Sequence, residues 1–165
     1  MNKLELNTFS NDNLLQPIKE NFDSEYVTQS IELMLELQSS NPTEAIGKAK
    51  ELIETCCKTI LDEKGISYTK NDDINALTKT TFENLNLLPD NINENLPLSE
   101  TLKKILGNLR SLTFGLAELR NPYGSGHGKS AKYKGLAGRH AKLAVGCSAT
   151  LVNFIWDCYQ HQKKS

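Results

Sequence analysis

The feature that most constrains the fold is the spacing of apolar residues after Asn41, where they recur every three or four positions. Asn41 can cap a helix, Pro42 suits the first turn, and Glu44 lies three residues after the cap. One apolar stripe follows on a single helical face, widened by its neighbours: Ala45, Ala49, Leu52, Cys56 and Ile60, with Ile46, Ile53 and Cys57. The pattern predicts a long helix that runs to about Lys64 and ends at Gly65.

Helical spacing also dominates the rest of the chain. It predicts helices over residues 25–38, 73–88, 99–120 and 136–161. In the helix over 99–120 the apolar residues are spaced alternately four and three apart, and we expect them to form its inner stripe: Ile105, Leu109, Leu112, Leu116 and Leu119. No segment alternates between apolar and polar residues over a useful length, as a half-buried strand would. The sequence therefore predicts an all-α fold, an antiparallel bundle of about five helices.

Length and composition are those of a small globular domain. The 165 residues can enclose a real core, with 38% hydrophobic and 24% charged residues. Residues 1–23 are polar and weakly patterned, so we expect residues 1–40 to form an N-terminal arm plus one helix, and residues 41–162 the helical domain. No apolar run resembles a signal peptide or a membrane span, which favours a cytoplasmic protein. The four cysteines show no CxxC spacing, and we interpret them as buried thiols in a reducing compartment.

Charge is distributed unevenly along the chain. The totals nearly cancel, with 19 basic and 20 acidic residues, but no acidic residue occurs between Glu118 and Asp157. That interval carries a set of basic residues: Arg120, Lys129, Lys132, Lys134, Arg139 and Lys142, with His127 and His140. A cationic segment without acids on a mildly acidic protein indicates a local anion-binding site.

The stretch RNPYGSGHGKS, residues 120–130, ends like a nucleotide-binding loop but fails the pattern. The first glycine of a Walker A loop would have to stand at Tyr123, and such a loop follows a buried strand rather than an amphipathic helix. We instead expect Asn121 and Pro122 to end the helix, since proline cannot continue it, and the glycines to reverse the chain. The crowding of polar and cationic residues at this turn calls for a further explanation.

Arginine followed at a short spacing by histidine, at the end of a helix in an all-α chain, resembles the HEPN superfamily. Its motif is Arg, four to six residues, then His, and here six residues separate Arg120 from His127. More narrowly, RNPYGSGHG followed by GRHAKLAVGCSATLVNFI (138–155) is similar to the Abi-like C-terminal family of abortive-infection proteins. NPTEAIGKAKELIETCCKTIL (41–61) also looks like that family's first block, so that the resemblance covers roughly residues 41–160.

The resemblance implies a HEPN-like helical bundle that dimerises around the motif and acts as a metal-independent ribonuclease, as a toxin or a phage-defence effector. It implies that Arg120 and His127 are the catalytic pair and that Asn121 is their polar companion. Pro122 departs from the family's pattern. Histidine suits proton transfer because its ordinary pKa, about 6.5, lies near neutrality, and the forked arginine side chain suits a phosphate.

The remaining candidates would bind RNA around that pair. Tyr123 could stack on a base or plug the end of the bundle. The three lysines of the loop are candidates for contacts to the RNA backbone: Lys129, Lys132 and Lys134. Arg139 could hold a second phosphate. His140 is either a second proton donor or simply part of the start of the last helix. We expect neither a cofactor nor a metal site.

Two other interpretations compete with the ribonuclease. The chain could be a non-catalytic HEPN-like module that binds RNA or a protein through the same basic face. Alternatively, the motif could be purely structural, with Arg120 capping carbonyl groups at the helix end. The expected partners are RNA, a second copy of the chain and a protein such as an antitoxin, and no membrane is expected.

Overall fold

The structure, a computed structural model, describes residues 10–88, 93–123, 131 and 136–165. These residues form six helices and no strand: α1 (Asp12–Phe22), α2 (Glu25–Ser40), α3 (Pro42–Glu63), α4 (Ile74–Asn84), α5 (Ser99–Tyr123) and α6 (Gly138–Lys163). The all-α prediction is confirmed, with six helices in place of about five. No helix among the described residues is long and apolar enough to cross a membrane.

Side-chain caps explain where several helices begin. The Ser24 hydroxyl accepts from the backbone N–H of Val27 at 3.3 Å at the start of α2. The Asn41 side chain accepts from the backbone N–H of Glu44 at 3.3 Å, which is the cap that the sequence predicts for α3. Each cap satisfies one of the backbone donors that a helix leaves without a partner in its first turn.

Helix α3 is the centre of the bundle and contacts α2, α4, α5 and α6. Its whole predicted stripe is buried, from Ala45 to Ile60, together with the neighbours that widen it. α3 ends at Glu63, and Gly65 follows with a φ of 67°, a backbone conformation that glycine adopts without strain. The prediction for this helix therefore holds at both ends and along its buried face.

Helix α1 was not predicted. Residues 12–22 form a helix instead of an arm or an irregular lead-in, and the side chains of Leu15 and Ile18 are buried in the common core. α1 packs on α6 and α2. Its apolar stripe is only about two turns long and Pro17 interrupts it, so the sequence pattern was too short to indicate a helix.

Helix α5 differs from its prediction in length and in orientation. It passes through Pro122 and ends at Tyr123, because a proline in the last turn removes only one of the helix's hydrogen bonds. The stripe that was expected to face inward is partly exposed, and Ile105, its first residue, is 51% exposed. α5 buries Leu116 of the predicted stripe, together with Leu106 and Thr113, which were not predicted.

The other helices match their predicted positions to within a few residues, except that α4 ends at Asn84 rather than 88. The four cysteines are all free thiols, but they are not all buried as expected. Cys56 and Cys57 on α3 are buried, whereas Cys147 and Cys158 on α6 are partly exposed. The reason is that α6 is covered along one side only, and these two residues lie at the edge of its buried face.

Candidate functional site

The candidate site lies between the end of α5 and the start of α6. Arg120, Asn121 and Tyr123 occupy the last turn of α5, and the structure describes their backbone. Arg139 and His140 occupy the first turn of α6. The remaining candidates, His127, Lys129, Lys132 and Lys134, lie outside the described residues. Their position relative to the arginine therefore remains a prediction from the sequence.

A buried amide fixes the start of α6 to the rest of the bundle. Asn11, just before α1, is 3% exposed, and its Nδ2 donates to Oε1 of Gln38 at 3.2 Å and to the backbone oxygen of Lys142 at 3.1 Å. The amide of Gln38 in turn donates to the backbone oxygen of Leu35 at 3.3 Å. This network joins α1, α2 and α6, so Arg139 and His140 project from a rigid support.

Two glycines allow this close approach. A Cβ atom on Gly138 would lie 3.2 Å from the backbone oxygen of Gln38, and one on Gly146 would lie 2.9 Å from Oδ1 of Asn11. Further along α6, the Ser148 hydroxyl donates to the backbone oxygen of Ala49 on α3 at 2.6 Å. These positioning residues carried no signal in the sequence, because their partners are far away along the chain.

The sequence left open whether His140 is a second proton donor or only part of the start of α6, and its contact bears on this choice. Its Nδ1 accepts from the backbone N–H of Ala137 at 3.1 Å, so the imidazole caps the first turn of α6. A nitrogen that accepts carries no hydrogen, and in the neutral ring the hydrogen is then on Nε2. The side chain is partly exposed, which leaves Nε2 as a possible donor to a ligand oxygen. This contact supports the structural role of His140 at the start of α6.

The start of α6 carries positive charge that no carboxylate of the described residues neutralises. Within the described ranges, neither the exposed Arg139 nor the partly buried Lys142 has a carboxylate partner within 4 Å. Some lysines elsewhere are paired, as Lys50 is with Glu54 at 3.2 Å. The N-terminal end of a helix adds partial positive charge from its free N–H groups. The described half of the site therefore favours an anion.

The cysteines near this surface are not activated nucleophiles. Burial raises the pKa of the Cys147 thiol. Burial and the neighbouring Asp157 carboxylate raise the pKa of Cys158 in the same way. Both remain protonated near neutral pH, where a nucleophilic cysteine would need a lowered pKa. Among the residues that the structure describes, no group of three or more His, Cys, Asp or Glu side chains could hold a metal ion.

Comparison with known proteins gives a family. No curated protein and no solved structure shows significant similarity to the chain. A family model, Abi_C, described as an HEPN-like domain, matches residues 24–159. The match begins at residue 24 rather than near 41, so it takes in α2, and it spans both Arg120 and His127. The chain belongs to the Abi_C family of HEPN-like domains.

Proposed function

We propose that the chain is a metal-independent endoribonuclease of the HEPN type that acts as a toxin or a phage-defence effector. Arg120 and His127 are the catalytic residues, and Asn121 is the polar residue beside them. The observation that supports this most is the position of the Arg-Asn…His string. It falls within the family match, begins in the last turn of α5 and precedes α6, in the interval without acidic residues.

The chemistry needs only groups that this segment carries. RNA supplies its own nucleophile, the 2′-hydroxyl next to each phosphodiester. The O2′–P bond forms while the P–O5′ bond breaks, which yields a 2′,3′-cyclic phosphate and a 5′-hydroxyl. The 2′-hydroxyl loses its proton to a base, and O5′ receives a proton from an acid. His127 can exchange protons near neutral pH, and the Arg120 guanidinium can stabilise the charge that builds on the phosphate.

A second copy of the chain completes this site. One imidazole cannot readily act as base and acid in the same step, because each role requires the opposite protonation state. Two copies related by a two-fold axis would provide two histidines and two arginines around one phosphate. We therefore place the catalytic pair at the interface of a homodimer.

The cationic residues around the pair would hold the RNA backbone. Lys129, Lys132 and Lys134 follow the histidine in sequence, and Arg139 and His140 begin α6 on the support described above. Phosphate contacts of this kind attract RNA without reading its sequence. Tyr123, which follows the arginine on the last turn of α5, would stack on a base of the RNA.

The test is cleavage of RNA in the presence of EDTA. His127→Ala should lower the cleavage rate by about 10²–10⁴-fold, the usual contribution of a general acid or base. Arg120→Ala should lower it by about 10²–10³-fold, as loss of transition-state stabilisation does. His161→Ala, which removes an exposed histidine near the end of α6, is the matched control and should cleave like the wild type.

Circular dichroism and RNA binding distinguish the competing interpretations. Binding without cleavage by the wild type and both variants would establish the non-catalytic module. Loss of helix content or of melting temperature in Arg120→Ala would instead establish the structural cap. Cleavage that persists in His127→Ala would refute the assigned catalytic pair.

A further inference from the structure

We infer that a second copy of this chain docks on an exposed apolar surface along α5 and the start of α6. The proposed function requires two copies but leaves open which surface joins them, and the inference rests on that proposal. The surface has two parts. The α5 seam consists of Leu102, Ile105, Leu109 and Leu112. The α6 groove, about 300 Å³ in volume, lies beside it and is lined by Leu14, Leu109, Leu112, Leu143, Gly146 and Cys147.

The surface is unusually apolar for a face that none of the described residues covers. Leu102 is 39% exposed, Ile105 is 51% exposed, and Leu143 is 61% exposed. Leu109 and Leu112 are half-buried and line the groove as well as the seam. Contiguous apolar side chains of this kind usually mark an interaction surface.

The spacing of the seam indicates that its partner is another helix. Leu102, Ile105, Leu109 and Leu112 are separated by three, four and three residues, the alternation of a seven-residue repeat. This is the repeat by which two helices pack side by side along their length. α5 already buries a different face in its own bundle, through Leu106, Thr113 and Leu116. Leu109 and Leu112 pack partly against the same core, so the outer side of the seam, with Leu102 and Ile105, is left for a partner.

The distribution of charge suits a second copy of the same chain. In a two-fold interface a surface meets itself, so charged residues beside the axis would be repelled by their own copies. Thr101 and Asn108, which precede Leu102 and Leu109, are exposed but uncharged. The exposed Lys104 precedes Ile105, but it lies about half a turn around the helix from Leu102. Lys103, on the same helix, is paired with Glu94 at 3.4 Å and with Glu100 at 3.5 Å. The seam can thus face itself without a clash of like charges, and Lys142, which lines the groove, lies outside the seam.

The proposed site fixes the direction of the pairing. If the two α5 helices run parallel, with the two-fold axis along the seam, both copies of Arg120 lie at the same end of the dimer. If they run antiparallel around the middle of the seam, the two arginines are about 40 Å apart, given a rise of 1.5 Å per residue. Of these two arrangements, only the parallel one lets one phosphate contact both copies of Arg120. We therefore infer that the two α5 helices run parallel.

The first experiment measures the mass in solution by light scattering coupled to size exclusion. We expect the wild type to have twice the chain mass of 18.4 kDa. Ile105→Asp and Leu143→Asp should each raise the dimer dissociation constant by at least about 100-fold, since each places a charge in a buried apolar contact. Leu33→Asp is the matched control, because Leu33 is an exposed leucine on α2, and it should remain dimeric. Circular dichroism should show all three variants folded.

A second experiment tests the direction. In Leu102→Cys, mild oxidation followed by peptide mapping should find residue 102 joined to residue 102 of the other copy. The parallel seam brings these positions together, whereas the antiparallel seam places each beside Leu112. A dimer that forms without this linkage would overturn the parallel arrangement.

The outcomes separate this inference from the proposed function. A monomeric wild type, or seam variants that remain dimeric, would overturn the inference whatever the RNA assay shows. A dimer that depends on the seam but cleaves no RNA would refute the ribonuclease activity and still support the docking surface. Residues 1–9 precede Ser10, which also lines the groove. If the wild type is monomeric and deletion of residues 1–9 makes it dimerise, those residues are the occupant and the inference is wrong.

Discussion

At the end of the bundle opposite the candidate site, single polar side chains link the end of α6 to the end of α3. The Tyr159 hydroxyl donates to the Glu63 carboxylate, and Lys163 lies 3.8 Å from the same carboxylate and 5.2 Å from the centre of the tyrosine ring. Desolvation, followed by the hydrogen bond to Glu63, raises the pKa of Tyr159 to about 12. Burial likewise raises the pKa of Cys57 to about 11. Because both pKa values are raised in the folded state, the stability of the fold should decrease at alkaline pH.

The sign of that link follows from the raised pKa of Tyr159. Its contribution to stability is complete below its ordinary pKa near 10 and is lost as the pH rises through about 12. We expect the free energy of unfolding to fall less steeply over this range in Tyr159→Phe than in the wild type. At neutral pH the variant should lose about 1 kcal/mol with the hydrogen bond.

Urea unfolding at a series of pH values measures both effects. Cys57 titrates in the wild type and the variant alike, so the difference between them isolates Tyr159. Tyr26→Phe, at an exposed tyrosine, is the control and should leave the slope unchanged. Parallel pH profiles for wild type and Tyr159→Phe would show that the tyrosine is not the linked group.

At the scale of elements, α6 is held by contacts that tolerate no added atoms. Gly146 lets α6 approach the buried side chain of Asn11, which also contacts α2 and the backbone of Lys142. α5 shows the opposite situation, since a Cβ atom on Gly107 would meet nothing within 4 Å. Identical substitutions in the two helices should therefore have opposite effects.

Gly146→Ala should destabilise the protein by about 1–3 kcal/mol, because the new methyl group overpacks a buried contact. Gly107→Ala should stabilise it by about 0.5–1 kcal/mol, because alanine loses less backbone entropy in a helix. Thermal or urea unfolding of the two variants measures the difference. If Gly146→Ala were also stabilising, the Asn11 network would not be the rigid support that we describe for α6.

At the scale of the whole molecule, the core extends beyond the family match. The match begins at residue 24, yet α1 precedes it and buries Leu15 and Ile18 against the rest of the bundle. The Asn153 amide donates to the backbone oxygen of Leu14 at 2.8 Å and ties the same helix to α6. α1 is therefore a part of the folded unit.

Ile18→Ala should lower the free energy of unfolding by about 2–5 kcal/mol, the usual cost of a cavity in a core. Leu14→Ala, one turn earlier on α1, changes a partly exposed side chain and should cost much less. Denaturant titration of both variants, monitored by helix content, measures the ratio. Equal small losses for the two would mean that α1 contributes little to the stability of the domain.

The sequence by itself determined the features that depend on near neighbours. The α3 cap and stripe are local, since Asn41 caps a residue three positions away and one face of one helix collects the apolar residues. The catalytic hypothesis is local too, because Arg120 and His127 are separated by six residues. Such patterns survive in the sequence because helix geometry converts short spacings directly into positions in space.

Tertiary structure decided the rest. A 3.5-residue repeat on α5 indicates an apolar face without saying what it packs against, and the bundle buries Leu106 in place of Ile105. The support of the site depends on Asn11 reaching Gln38 and Lys142, which are 27 and 131 residues away. Amides are common on surfaces, so none of these residues stood out in the sequence. Contacts between distant residues form only after the helices have packed, and for that reason local spacing could not predict them.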